Sequence, residues 1–433
     1  MTFRKKLTTA FAAFALVGNL AAPVSVAFAT DGGSTVIQIT GNGANSTNGA
    51  SVAQTQETVV SQKNDADVKN DINVSSNTGG NSANKNTGGN SSIDTGDSKT
   101  VVDVKNELNS NVLNVENCNC DTDALIKVAN NGYESDNSAN LELSNKTVVA
   151  QENNADVKNK INADSSTGDN ELNKNTGGDN SISTGTAWTG VQVSNEANSN
   201  WANVGGNGNG STVDLIVTGN GAETDNNIDL YLDRDMTLQQ YNNSDIANYL
   251  DASANTGWNE ASKNTGGDTS IDTGNAKTAV LADTAANFNW ANVDCDCLTD
   301  VYAKVDGNGY ESDNAINAEL TDSKNIFQEN ACGESFGFEA LFDGYRRGHD
   351  CVTNDFDAFS NTGENTAKKE TGYSESDPAI ETGNSEVIAS AETSGNSNVY
   401  GSESDHDMPS HMGGVSLNFT FNLSDLLGAL GVR

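Results

Sequence analysis

The stretch Lys85-Asn86-Thr87-Gly88-Gly89-Asn90-Ser91-Ser92-Ile93-Asp94-Thr95-Gly96 constrains this chain more than any other, because it comes back. Copies run from Lys174 to Gly185 and from Lys263 to Gly274, each starting 89 residues after the one before. A worn, lengthened copy spans Lys369 to Gly383. A period this long is the mark of an array, in which each unit buries its apolar face against its neighbours. The chain divides into repeats at 30–121, 122–210, 211–298 and 299–405. A second order lies above the first. Repeats one and three open with Ser34-Thr35-Val36 and Ser211-Thr212-Val213, and share Gly-Asn-Gly-Ala from Gly41 and Gly219. Repeats two and four share Asn-Gly-Tyr-Glu-Ser-Asp-Asn from Asn131 and Asn308, so a two-repeat unit was itself duplicated.

Within a repeat the apolar residues alternate. Ala66, Val68, Ile72 and Val74 share one parity, with Asn70 among them, and Val102, Val104, Asn106 and Leu108 do the same. Period two places such residues on one face of a strand. Thr-Gly pairs punctuate the chain at Gly79, Gly88 and Gly96, where glycine is expected to supply the positive φ of a tight turn. Asn, Gly, Thr and β-branched residues disfavour helix. The expected fold is an all-β repeat array of the β-solenoid, β-helix-like type, with inward Asn side chains stacked in ladders between coils. Four tandem β-sandwich domains answer to the same repeat length.

The ends differ from the repeats. Arg4, Lys5 and Lys6, an apolar run from Leu7 to about Ala22, and Ala27-Phe28-Ala29 read as a signal peptide over residues 1–29. Its removal takes the formal net charge from −37 to about −40. So acidic a chain is no phosphate binder, which excludes nucleic acid and anionic membrane surfaces as partners. No integral membrane segment is expected after leader cleavage. The tail, 406–433, carries an amphipathic strand, Val415, Leu417, Phe419, Phe421 and Leu423, which is expected either to cap the array or to dock on another subunit or on the cell surface.

Chemistry is sparse. Six cysteines in an exported chain predict disulfides. Cys332 and Cys351 bracket an insertion, 332–351, that no other repeat has, and a bridge between them would close it. Cys118 with Cys120, and Cys295 with Cys297, either form local rings or cross-link to another copy. The insertion gathers Phe336, Phe338, Phe342, Tyr345, Arg346, Arg347 and His349, the residue types that anchor binding surfaces, so it is read as a binding loop. Asp94-Thr95-Gly96 and Asp272-Thr273-Gly274 spell the aspartic-protease motif, but Ser183 and Glu381 hold the matching positions, so the turn needs Thr-Gly and not the acid. Three histidines, His349, His406 and His411, give a Ser-His-Asp triad almost no material. Calcium is the candidate cofactor: Glu134 and Asp136, Glu223 and Asp225, Glu311 and Asp313 follow the same glycine turn in three repeats, and such oxygens suit a hard cation.

The Lys-Asn-Thr-Gly-Gly and Ile-Asp-Thr-Gly turns in an Asn/Thr/Gly-rich background resemble those of uncharacterised secreted tandem-repeat proteins of bacterial cell surfaces, adhesin-like or surface-layer-like. The resemblance covers the four repeats and implies a secreted, cell-surface location. The function expected is a non-enzymatic structural or adhesive one, in which the array displays a binding loop or assembles into a layer or filament. Its partners would be cell-surface components, polysaccharide or further copies of itself. The alternative is a carbohydrate-active β-helix enzyme or a polysaccharide-binding protein, which needs paired carboxylates in a groove.

Overall fold

The computed structural model describes residues 35–115, 123–205, 211–294, 299–332, 351–371 and 378–401. Residues 1–29 and 406–433, Cys118, Cys120, Cys295, Cys297 and the aromatic and basic residues of the insertion lie outside them.

Each repeat is one coil of a β-solenoid. Every strand pairs in parallel and in register with its equivalents in the adjacent coils, which excludes four separate sandwiches. In the second coil β5 (Ala124–Ala129) turns into β6 (Asp136–Ser166), a strand of 31 residues. Two short strands, β7 (Glu171–Asn173) and β8 (Asn180–Ser183), then reverse the chain. The return strand is β9 (Ala187–Gly205), and β10 (Ser211–Thr218) follows it as the opening strand of the third coil. The long strand is one wall of the coil. The return strand and the opening strand of the next coil, laid end to end, make the opposite wall. This geometry sets the proportions. A 31-residue strand spans about 100 Å, whereas four coils at about 4.8 Å each rise only about 19 Å. The molecule is a plank whose long dimension follows the strands, not a rod along the solenoid axis.

Alternation fills the space between the walls. Ala155, Val157, Ile161 and Ala163 point inward from the long strand and meet Val191, Val193 and Ala197 of the return strand. Between these apolar layers run the amides. Asn153 donates to Asn242 of the next coil and across to Asn200, while Asn200 donates to Asn289 and Asn242. Asn64 and Asn330 continue the first column in the outer coils. A second double column joins Asn70, Asn159 and Asn248 to Asn106 and Asn195. Gln62, Gln151, Gln240 and Gln328 form a further ladder. A buried amide left unpaired costs about 1–3 kcal/mol, so these ladders select one register.

Asn109, Asn198, Asn287 and Asn396 each take φ near 60°, a bulge that resets the inward parity of the return strand. Asn198 donates to the Asn243 carbonyl across the interior and to Asn287 of the next coil at 3.0 Å. The turn glycines divide in a way the sequence reading did not anticipate. Gly80, Gly88 and Gly89 have positive φ, but Gly79 and Gly96 do not. Their columns need glycine for close approach: a Cβ on Gly185 would come within 2.6 Å of the Gly96 carbonyl carbon in the coil below.

Candidate functional site

The insertion leaves the fold at one point. In the fourth coil β16 (Asp313–Cys332) and β17 (Val352–Asn361) both pair with β11 (Asp225–Asn255), β16 ending opposite Ser244 and β17 starting opposite Ile246. Cys332 and Cys351 are bridged, with Cα atoms 4.5 Å apart, as the spacing predicts. The Ile246 amide bonds the Cys351 carbonyl, so Cys351 fills the gap in the register. The two segments act as one long strand, and the disulfide closes the base of the loop. Asn396 donates to Cys351 Sγ at 3.2 Å from the facing wall.

The calcium candidates fall into two columns. Asp136, Asp225 and Asp313 are register partners at the start of the long strand, with Thr47 in the first coil. Glu134, Glu223 and Glu311 occupy the preceding turn at φ 52–55°. Tyr133 donates to Glu223 Oε2 at 3.0 Å, and its hydroxyl pKa is pushed up to about 12 by hydrogen bonding to Glu134 and then to Glu223. Among the described residues no group of three or more His, Cys, Asp or Glu side chains is arranged to hold a metal ion. Asp94 and Asp272 lie two coils apart with Ser183 between, about 9–10 Å of backbone separation, which is too far for carboxylates sharing one proton.

The outward faces carry more charge than chemistry. Burial first, then the neighbouring Asp245 and Asp67 of its own column, raise the Asp156 carboxyl above the ordinary range. Asp251 is raised by burial and by Asp357 and Asp164. Asp283 is raised by burial and by Glu392 and Glu196, in a shallow depression that Gln192, Ser194, Leu281 and Ser390 help to line. Asp123 is held low by hydrogen bonds from the amide and hydroxyl of Thr212. On the same outer face as Asp283, Trp201 and Trp290 stack with ring centroids 4.7 Å apart and 9° between planes. The repeated Asn-Trp-Ala-Asn-Val at 200–204 and 289–293 is the sequence signal for that pair. Arg234 takes an inward position and donates to Thr299 Oγ1 at 2.8 Å, while burial lowers its pKa.

The feature that the sequence reading missed is the state of the two outer coils. Inward residues that are sealed in the middle of the array are more open in the fourth coil and along the long strand of the first. Val52 is 37% exposed, whereas its register partner Leu141 is 1% exposed. In the fourth coil Val305, Leu320 and Ile380 are 49%, 45% and 45% exposed, against 0%, 2% and 1% for Val217, Leu232 and Ile271. The fourth coil, and the long strand 47–77 of the first, therefore leave the core open, whereas Ile37, Ile39, Ile93, Val102 and Val104 of the first coil stay buried; both outer coils end in strand edges whose backbone groups have no strand partner among the described residues. Comparison with protein families, with curated proteins and with solved structures finds no match to this chain.

Proposed function

We propose that this is a non-enzymatic, secreted structural or adhesive protein of the cell surface, in which a stiff acidic plank carries the 332–351 loop. The observation that carries the reading is the interior. Column after column of amides bonds coil to coil, which ties the coils into the stiff body that a structural role needs. Such a scaffold supports a binding loop because its base is pinned on both sides, by the disulfide and by the pairing of the flanking strands with one unbroken neighbour. The high negative charge fits a solvated extracellular surface. Protease shaving of intact producing cells tests the location: loss of the antibody signal is expected, and a protected internal pool would sink it. Deleting 333–350 tests the loop, since attachment should fall while the array still folds. Unchanged attachment would remove the loop from the reading.

A polysaccharide-directed role draws on one place. Asp283 and Glu392 are neighbours in register on the outer face, a pair of carboxyl groups of the kind such a role needs, and burial and Glu392 raise the Asp283 pKa. Turnover of a polysaccharide panel, abolished by Asp283→Asn, would favour that role. No turnover would leave the scaffold reading alone.

A further inference from the structure

We infer that the open face of the fourth coil takes the open face of the first coil of a second copy, head to tail, so that the solenoid continues from molecule to molecule. This deepens the structural reading above by naming its partner, and it rests on four independent features of the two faces.

The first is polarity. Asn42 donates its side-chain amide to Asn131, Asn131 to Asn220, and Asn220 to Asn308. The columns through Asn48 and Asn64 run the same way. The Gln column runs in reverse, Gln328 donating to Gln240, Gln240 to Gln151 and Gln151 to Gln62. Each ladder thus has a donor end and an acceptor end on opposite faces of the molecule. A copy stacked head to tail continues every ladder with its polarity and its parallel register, which a two-fold pair, reversing the solenoid axis, does not. The contact is heterologous and does not close, so it builds a filament.

The second is the order of the coils. The first and third share one set of turn sequences, the second and fourth another. A fourth coil followed by a first repeats the step from second to third that already exists inside the molecule, where Asn131 bonds Asn220.

The third is charge. Continuing the register sets Glu329 beside Lys63, Glu386 beside Lys99, and Glu392 beside Lys105 of the next copy. The last two pairings extend the columns of the Lys277–Glu386 ion pair and of Asp283 and Glu392. Asp355 over Asp71 and Glu381 over Asp94 are the opposing like charges, and Lys369 over Lys85 continues a lysine column already present in the molecule.

The fourth is space. A Cβ on Gly185, Gly274 or Gly383 would strike the coil beneath, and one on Gly132, Gly221 or Gly309 would do so in the neighbouring turn. Gly96 and Gly43, which begin those two columns, meet nothing within 4 Å. They keep the glycine that a coil beneath would require.

The test uses the full mature chain, followed by negative-stain electron microscopy, sedimentation against concentration, and fibre diffraction. Filaments with a meridional spacing of about 4.8 Å along the growth axis are expected. The variant Gly43→Ala/Gly96→Ala should melt with the parent as a monomer, because both Cβ atoms enter open space. It should raise the critical concentration for assembly at least tenfold, because those atoms would strike the copy beneath. A second variant, Lys63→Glu/Lys99→Glu/Lys105→Glu, makes all three favourable meetings repulsive. It should weaken assembly most at low salt. A chain that stays monomeric at high concentration would overturn the inference, as would a closed two-fold dimer, or filaments indifferent to both variants. Assembly seen only after removal of 402–433 would likewise overturn it, by making the tail the natural occupant. None of these outcomes depends on where the cell places the protein, so failure here is distinct from failure of the cell-surface reading.

Discussion

The second and third coils differ from the first and fourth in neighbours more than in plan. Ile271 and Ile380 occupy the same column and both point inward, yet one is sealed and the other stands open. In a compact domain burial follows from a residue's own pattern. In this array it depends also on the neighbouring coils and on which side of a residue they lie: Ile93 and Ile380 each end that column, yet Ile93 is buried and Ile380 is open. The same holds for the polar columns. Asn153 is bonded from both sides, whereas Asn64 has a coil on one side only. A quasi-one-dimensional protein should therefore answer the same substitution differently at its middle and at its ends.

The sharpest break of that symmetry is Asn153→Ala against Asn64→Ala. The first strips bonds from Asn64, Asn111, Asn200 and Asn242 at once and leaves buried amides unpaired. It should cost about 3–5 kcal/mol in denaturant unfolding. The second touches Asn153 and Asn111 at a face already open, and should cost about 1 kcal/mol. Equal losses would mean that the end coils are as enclosed as the middle ones.

The disulfide sharpens the comparison within the long strand. The third coil crosses from Ser244 to Ile246 without interruption, while the fourth does so only through the bridge between Cys332 and Cys351. Cys332→Ser/Cys351→Ser should lower stability by about 3 kcal/mol in the chain-entropy model. The loss should be local, with amide exchange accelerating in 313–332 and 352–361 before it does in 225–255. Uniform acceleration across all coils would show that the fourth coil is not a separable unit.

Much of this was legible in the sequence because it is periodic. The repeat length set the coil, the alternation of Val68, Asn70 and Ile72 set the inward face, and the spacing of Cys332 and Cys351 set the bridge. What escaped had no local signature. Gly96 reads like any turn glycine, and only the stacked backbone reveals that its column is governed by proximity and not by φ. The bulge at Asn198 interrupts the alternation by one residue, which a pattern reader takes as noise. An open end was implied by the expectation that the tail caps the array, but which inward residues stand exposed has no local signature, because the fourth repeat carries the same kinds of inward residues as the third. The acids of the calcium expectation follow the same glycine turn in three repeats, and Asp136, Asp225 and Asp313 share one column along the solenoid.

Glycine provides the next contrast. Gly185→Ala would drive a Cβ into the backbone of the first coil and should cost about 1–3 kcal/mol, as overpacking does. Gly96→Ala faces open space and should leave the monomer within about 0.5 kcal/mol of the parent. Thermal unfolding at a concentration below assembly measures both. A large loss for Gly96→Ala in the monomer would mean that something already covers the first coil.

The smallest effect expected is electrostatic, and again the middle of a column differs from its end. Asp156 lies between Asp67 and Asp245, and burial together with these two raises its carboxyl pKa in the folded state. For a raised carboxyl the folded chain holds its proton to higher pH than the unfolded chain, so ionisation opposes folding. The penalty is complete above the folded pKa. It is relieved as pH falls through that value, and it is gone below the ordinary Asp value of about 3.9. Asp251 and Asp283 act in the same sense, and Asp123, held low, in the opposite one. Asp156→Asn should therefore raise the melting temperature slightly at neutral pH and have no effect near pH 3. Asp67→Asn, which removes one neighbour from the end of the column, should do the same by a smaller margin. A lower melting temperature for Asp156→Asn at neutral pH would mean that the ionised column is held by something that binds it, and titrating Ca²⁺ into the parent would then be the direct check.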